Sequence, residues 1–408
     1  MSGASRTSPS SASASTSPED HATMPDVVIV GGGISGVSAA YEIARAGHSV
    51  TLLEARSLAA MASSWTLGGV RQSGRDPAEL PLAKAAVERW GGLDEELGAP
   101  TGYRRHGNLR LARTEAEVAV IRELVAQQSE LGLTIEYLPD NAAVRARATA
   151  IGPGILAASF CPGDGHADPV PAVRAYADAA RRHGAVIREG VPVRALTRSG
   201  ERITGVETQA GEIIAADRVI VATGIHTPEL LAPLGLALPL IVKLVCVMQS
   251  VPLRPLLAPV FGVANADCAG RQEIDGRLRV TTGIGDWPHD PTSWTEASLA
   301  PRSRDVAALI ARTTQVLPAL AEAGIARLWG GLIDLTPDAL PAIDAETGLD
   351  GLVVAAGFSG HGFGIGPVTG EILADLALEW RSRFDLSPFK LNRFAEGGRQ
   401  TAELTLHG

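Results

Sequence analysis

Apolar and polar positions along the chain switch repeatedly between strand-like alternation and helix-like spacing, which predicts a mixed α/β architecture. The clearest block is DVVIVGGGISGVSAAYEIARAGHSVTLLE, residues 26–54. Its apolar run Val27–Val30 predicts a buried strand, Gly33–Ala46 a helix, and Ser49–Leu53 a second strand stopped by the acidic Glu54. Residues 55–74 are small and glycine-bearing and predict a turn, a short helix and a loop. Residues 78–98 and Glu115–Leu131 carry helical spacing, with a strand, Tyr103–Leu111, between them. A helix opened by Asp168 and Pro169 runs to Gly184, and a strand follows at Ala185–Glu189. Val193–Thr197, Ile203–Thr208 and Glu212–Ala215 predict a small meander, and Asp217–Thr223 a buried strand running into Gly224. Residues 240–285 hold several strand candidates with turn signals, so a second sheet is expected, and Ser303–Ala323 is helical. Gly351–Ala356 is a short strand, followed by the glycine-rich GFSGHGFGIGP and a last helix, Val368–Arg381.

This order divides the chain into a discontinuous cofactor domain (25–90, 155–228 and 325–382) and a substrate domain inserted as 91–154 and 229–324. A C-terminal extension, 383–408, follows. Residues 1–24 are rich in Ser, Thr, Ala and Pro, cannot bury enough apolar surface to fold, and are expected to form a disordered tail. Met24 is a plausible natural start. With 408 residues the chain exceeds one simple core. Its formal charge of −9 gives no global attraction for nucleic acid or an anionic membrane. No apolar run is long enough for a membrane span. The three scattered cysteines, Cys161, Cys246 and Cys268, form no disulfide framework or metal pattern and suit a reducing, cytoplasmic location.

The first block carries chemistry as well as pattern. Gly31, Gly33 and Gly36 occupy the G-x-G-x-x-G positions between strand and helix. Those glycines give a tight turn, close backbone approach to a pyrophosphate and close helix–strand packing. The helix directs its free N–H groups and positive dipole end at the phosphates. Glu54 stands where a carboxylate accepts ribose hydroxyls. A dinucleotide site follows; which dinucleotide must come from elsewhere.

Five segments in order carry a family resemblance: the fingerprint, DGHADPVPAVRAYADAARRHGA, VIVATG, TPDALPAID and GFSGHGFGIGP. Together they resemble the FAD-dependent D-amino acid oxidase superfamily, in the branch of glycine oxidase, sarcosine oxidase and D-hydroxyproline or opine dehydrogenase subunits. The resemblance covers about residues 25–385. It implies a Rossmann-like FAD-binding domain with an inserted α+β substrate domain on a mostly antiparallel sheet. It also implies non-covalent FAD, because Gly331 stands where monomeric sarcosine oxidases carry the flavin-linking cysteine. The implied cofactor contacts are Gly31, Gly33, Ile34, Ser35 and Gly36 at the pyrophosphate and Glu54, Ala55 and Arg56 near the adenosine. Ser63, Ser64, Val193, Ala222, Thr223 and Gly224 follow, with Gly331. The turn Gly357, Phe358, Ser359, Gly360, His361, Gly362, Phe363 and Gly364 comes last, and its helix would face the isoalloxazine pyrimidine edge.

The implied reaction is oxidation of a C–N bond in a small amino or imino acid: glycine, sarcosine, a D-amino acid or a cyclic secondary amine. Hydride moves to flavin N5 and the imine hydrolyses. The electron acceptor is O2 or another subunit, so a hetero-oligomer is one expectation. Candidate catalytic residues are Arg71, suited to grip a substrate carboxylate, His361 in the flavin-facing turn, Arg271, and Lys243. Lys243 is one of only three lysines and interrupts an apolar strand, PLIVKLVCV; its ordinary reading is an edge strand with the amine in solvent. Trp65 and Trp287 are candidates for walling an apolar pocket, His166 and Asp338 for structural turns. Sarcosine oxidases place a carboxylate-gripping lysine after GFSGHGF, where this chain has Gly364, so the grip must come from elsewhere or the substrate differs. Two readings from other classes are an NAD(P)H-dependent flavin monooxygenase and a non-catalytic flavin-stabilised subunit. No metal is expected.

Overall fold

The computed structural model describes Met1, residues 24–290 and residues 293–395. The expected tail, apart from Met1 and Met24, and the C-terminal extension beyond residue 395 lie outside the described residues.

In chain order the elements that build the site begin with β1 (Val27–Val30), α1 (Ile34–Arg45), β2 (Val50–Glu54) and α2 (Leu80–Trp90). There follow β3 (Asn108–Ala112), α3 (Glu115–Glu130), β4 (Glu136–Leu138), β5 (Ala157–Cys161), α4 (Pro169–Arg182) and β6 (Val186–Glu189). A meander, β7 (Val193–Ser199), β8 (Arg202–Thr208) and β9 (Ile213–Ala215), leads to β10 (Arg218–Val221). Then come β11 (Ile241–Ser250), β12 (Val260–Val263), β13 (Cys268–Gln272), β14 (Leu278–Asp286), α5 (Ser303–Val316) and β15 (Ile325–Leu335). The described chain closes with β16 (Ala342–Asp344), β17 (Leu352–Ala356) and α6 (Gly362–Ala377), followed by short 3-10 turns.

Two large sheets organise them. The first runs β16-β17-β10-β1-β2-β6, parallel throughout except for the antiparallel edge pair β16/β17. Its central strands are covered on both faces, which is why they are continuous apolar runs such as VVIV and RVIV. α1, α4 and α6 cover one face through Val37, Ala40, Tyr176, Ile372 and their neighbours. The second sheet, β15-β11-β14-β13-β12-β3-β5-β4, is antiparallel apart from the parallel pair β3/β12. α5 packs on it through Leu309 and Val316.

Strand pairing places two segments differently from the sequence division. β5 lies in residues assigned to the cofactor domain, yet it pairs with β3 and β4 in the eight-stranded sheet. β15 likewise pairs with β11 along its length. Lys243 is not on an edge strand, because β11 has a partner on each side.

The last helix begins six residues before the expected Val368, so GFGIGP is helical and Pro367 lies inside α6. The glycines there serve contact between helices. A Cβ on Gly366 would meet Ile34 at 2.6 Å, and one on Gly370 would overlap Ser38 Oγ. Ser38 Oγ donates to Gly366 O at 2.9 Å, tying α1 to α6.

Candidate active site

The C-terminal ends of β1, β2, β10 and β17 open toward the second sheet, and a cavity of about 850 Å³ lies between them. That is where open α/β sheets place ligands. At one end, Gly31–Ser35, Glu54–Arg56, Val193 and Ala222–Gly224 form its wall. α1 starts there without a side-chain cap at Gly33, so its N-terminus opens into the cavity. Gly31 has φ +113°, and a Cβ there would overlap Ala222 O. Gly36 does not line the cavity; its Cβ would overlap Gly31 O, so its glycine serves packing beneath the turn.

Glu54 orders this end. Its Oε2 accepts the Gly32 N–H at 2.7 Å and its Oε1 the Arg56 N–H at 2.8 Å. A carboxylate has further lone pairs, so it can still take ribose hydroxyls. Ser63 Oγ accepts the Ile34 N–H at 3.0 Å and lines the cavity. Ser64 is turned away, its Oγ donating to Met61 O.

At the other end, Phe358, Gly360, Gly362 and Phe363 approach from the glycine turn, while Gly357, Ser359, His361 and Gly364 lie behind it. Gly357 (φ +69°) donates its N–H to Asp334 Oδ2 at 2.8 Å, and the Ser359 N–H goes to Asp334 O at 2.9 Å. Asp334 lines the cavity, and burial pushes its carboxyl up to about 6. Gly364 is held between Trp90, whose Nε1 donates to its carbonyl, and Gly69 O, which lies 2.7 Å from where a Cβ on Gly364 would stand. α6 begins at His361 without a side-chain cap, a second helix N-terminus at the same cavity.

Arg71 faces the cavity and makes no ion pair among the described residues. Burial, then the neighbouring Arg75 and Arg110, pull its guanidinium down to about 9, so it is charged at neutral pH. Arg75, four residues on, also lines the cavity; it is 4% exposed, and its Nη1 has no hydrogen-bond partner among the described residues. Behind them the His361 ring meets Glu79 Oε2 at 3.2 Å through Nδ1. Burial and Arg75 hold His361 down to about 4, which leaves it neutral.

Arg271 and Lys243 are not in the cavity wall. Arg271, fully buried on β13, meets His166 Nδ1 at 2.8 Å and Asp168 at 3.0 Å, joining the two sheets' domains. Lys243 donates to Asp286 at 2.6 Å. His361 reaches Glu79, not the cavity, because that buried carboxylate needs a donor. Trp65 lines the cavity; Trp287 packs behind, in a cluster with Trp294. Arg393 pairs with Asp338, which also accepts the Leu340 N–H and so holds its turn. Sequence reading passed over Arg75, Asn108 and the sheet residues Val247 and Phe261. For Arg75 a signal existed, a second arginine in the same loop; the others are ordinary strand residues.

The cavity fits a dinucleotide flavin: a glycine cradle that Cβ atoms would fill, two helix N-termini whose N-cap residues, Gly33 and His361, supply no side-chain cap, and a carboxylate at the ribose position. None of the three cysteines lines it.

Comparison with known proteins agrees. Residues 26–376 match the model of the DAO family, described as FAD dependent oxidoreductase. A 4-methylaminobutanoate oxidase (formaldehyde-forming) from Paenarthrobacter nicotinovorans is 31% identical over 375 residues, 90% of this chain and 45% of that protein. The chain thus spans about half the length of that relative. Glycine oxidase from Geobacillus kaustophilus is 29% identical over 376 residues, 90% of this chain and 97% of that one. Among solved structures, L-proline dehydrogenase from P. horikoshii superposes with a TM-score of 0.84 at 28% identity, covering 92% of this chain and 99% of that one. The cofactor is FAD, and the chain belongs to the DAO family of FAD-dependent oxidoreductases.

Proposed function

We propose that this protein oxidises the C–N bond of a small amino or imino acid, with hydride passing to FAD and the imine product hydrolysing. The observation that carries the reading is the pair Arg71 and Arg75, two guanidiniums at the cavity wall to which no carboxylate of the described residues is bonded. A substrate carboxylate completes them; Arg71's planar fork suits bidentate binding. FAD supplies the hydride acceptor when bound. The chain's residues do the rest: Arg71 and Arg75 fix the carboxylate, the apolar walls exclude water, and the α6 N-terminus favours negative charge at the cofactor. No acid–base triad is needed when the amine arrives neutral. The similar proteins include oxidases and a dehydrogenase by name, so the acceptor is O2 or another electron carrier, including a partner subunit.

Anaerobic titration of the yellow protein with amino and imino acids tests this. Bleaching of the visible flavin band is expected with at least one of them, and a panel that leaves the band intact refutes the proposal. Peroxide release by the pure chain in air marks an oxidase; dye reduction without peroxide marks a dehydrogenase.

A further inference from the structure

Glu79 is a buried carboxylate that the reaction as described does not use. It is 1% exposed, it opens α2 as the N-cap residue, and it stands behind the cavity wall, not in it. Its Oε2 lies 3.2 Å from His361 Nδ1, and its Oε1 has no hydrogen-bond partner among the described residues. A charged carboxylate only accepts, so the ring proton belongs on Nδ1 and His361 donates it. His361 is the N-cap residue of α6, and its neighbours Gly360 and Gly362 line the cavity. The bond therefore ties the start of α2 to the start of α6 directly behind the glycine turn.

Arg75 comes four residues before Glu79, lines the cavity, and leaves Nη1 without a partner among the described residues. Burial opposes a charge on Glu79, but His361 and Arg75 outweigh it and hold the carboxyl below its ordinary range. The Glu79–His361 pair thus carries one negative charge at neutral pH, in a place that salt screens little. α6 presents free N–H groups and the positive end of its dipole at this end of the cavity. FAD gains one negative charge when it takes up two electrons and one proton, and the helix end favours that gain. A carboxylate just behind the same turn works against it.

We propose that Glu79 is a positioning residue for the flavin: through His361 it holds the glycine turn and the N-terminus of α6, and its charge offsets the positive end of that helix, so that FAD takes up electrons less readily than the helix alone would dictate. The inference needs bound FAD and does not depend on which amine is oxidised. A purely structural role for the pair would move Tm and FAD retention and leave the flavin potential in place.

The test is the midpoint potential of the FAD-loaded protein, read anaerobically against a reference dye while dithionite supplies the electrons. Glu79→Gln keeps the shape and an acceptor for Nδ1–H but removes the charge. It is expected to shift the dye–flavin equilibrium about tenfold toward reduced flavin, the order of one charge acting within a protein interior, which is about 30 mV for a two-electron couple. Glu79→Asp keeps the charge but shortens the reach to His361. It is expected to lower Tm and FAD retention while the potential stays close to wild type. Where Glu79→Gln alone does not retain FAD, the double variant Arg75→Gln, Glu79→Gln is compared with Arg75→Gln alone, and a shift in the same direction is expected between them. An unchanged potential in either comparison, or a shift of equal size in Glu79→Asp, overturns the inference. None of these outcomes touches the amino-acid reading, which the substrate titration tests separately.

Discussion

Arg75 is nearly buried, lines the cavity, and leaves one nitrogen unsatisfied among the described residues. A buried donor without an acceptor has a desolvation cost that a bound carboxylate removes. Replacing Arg75 by Met is expected to weaken carboxylate binding roughly 10- to 100-fold, in line with one charge-assisted hydrogen bond. KM should rise far more than kcat falls; an unchanged KM would show that Arg75 does not touch substrate. Titration belongs to this scale too. His166 is depressed to about 2, by burial and then Arg271, and His361 to about 4 by burial and Arg75. Both stay neutral in the fold where an unfolded chain would protonate them, so they stabilise above pH 6.5 and this is lost as pH falls below it. Asp334 acts oppositely: its folded value of about 6 exceeds the unfolded one, so its contribution is full below pH 4 and is lost as pH rises through 6. Two histidines outweigh one aspartate, and stability should fall between pH 6.5 and 4, each group adding about 1.4 kcal/mol per pH unit. Asp334→Asn removes the compensating group and should steepen that acid slope in urea titrations. A slope made shallower by the change would contradict the sign.

At the scale of elements, the site is made where helices begin and strands end. β1, α1 and β2 were legible because a buried parallel strand is a continuous apolar run and the glycines have fixed places beside it. The start of α6 was not legible, since glycines and a proline ordinarily mark a turn. Here they let α6 approach α1 and the backbone at Gly69 more closely than side chains permit. Gly364→Ala would put a methyl 2.7 Å from Gly69 O. The expected cost is about 1–3 kcal/mol from overpacking, read as a lower Tm, with weaker FAD retention because the loop carrying Arg71 must shift. An alanine variant with wild-type Tm and full FAD would show that this contact yields freely. The apolar residues of the cavity wall were illegible for a different reason. Val247 and Phe261 have the same character as core residues, and only pairing across the sheet decides which face looks into the cavity.

For the whole molecule, the hard part to read was which sheet each strand joins. Ala157–Cys161 and Ile325–Leu335 were not read as strands in sequence, and the strands they pair with lie far off along the chain. Between the domains, Arg271 is a fully buried pin, fixed by Asp168 and His166 on one side and by Glu273, just past the end of its own strand, on the other. Arg271→Met is expected to destabilise the protein by about 3 kcal/mol, because Asp168 and Glu273 keep charges that the arginine offset. Carboxylate binding measured well below the lowered Tm should stay near wild type, and a selective loss of binding would return Arg271 to the site. The six-stranded sheet interleaves three distant parts of the chain, and β17 lies beside β10 only after residue 356 has been made. At roughly 5–20 residues per second, a ribosome leaves β1 without its full set of neighbours for tens of seconds. The cradle that receives FAD needs α1 and α6 together, so loading waits until residues 362–377 have been made. Yield of yellow protein in cells should then depend on free flavin at that late moment and on chaperones that shield the incomplete sheet.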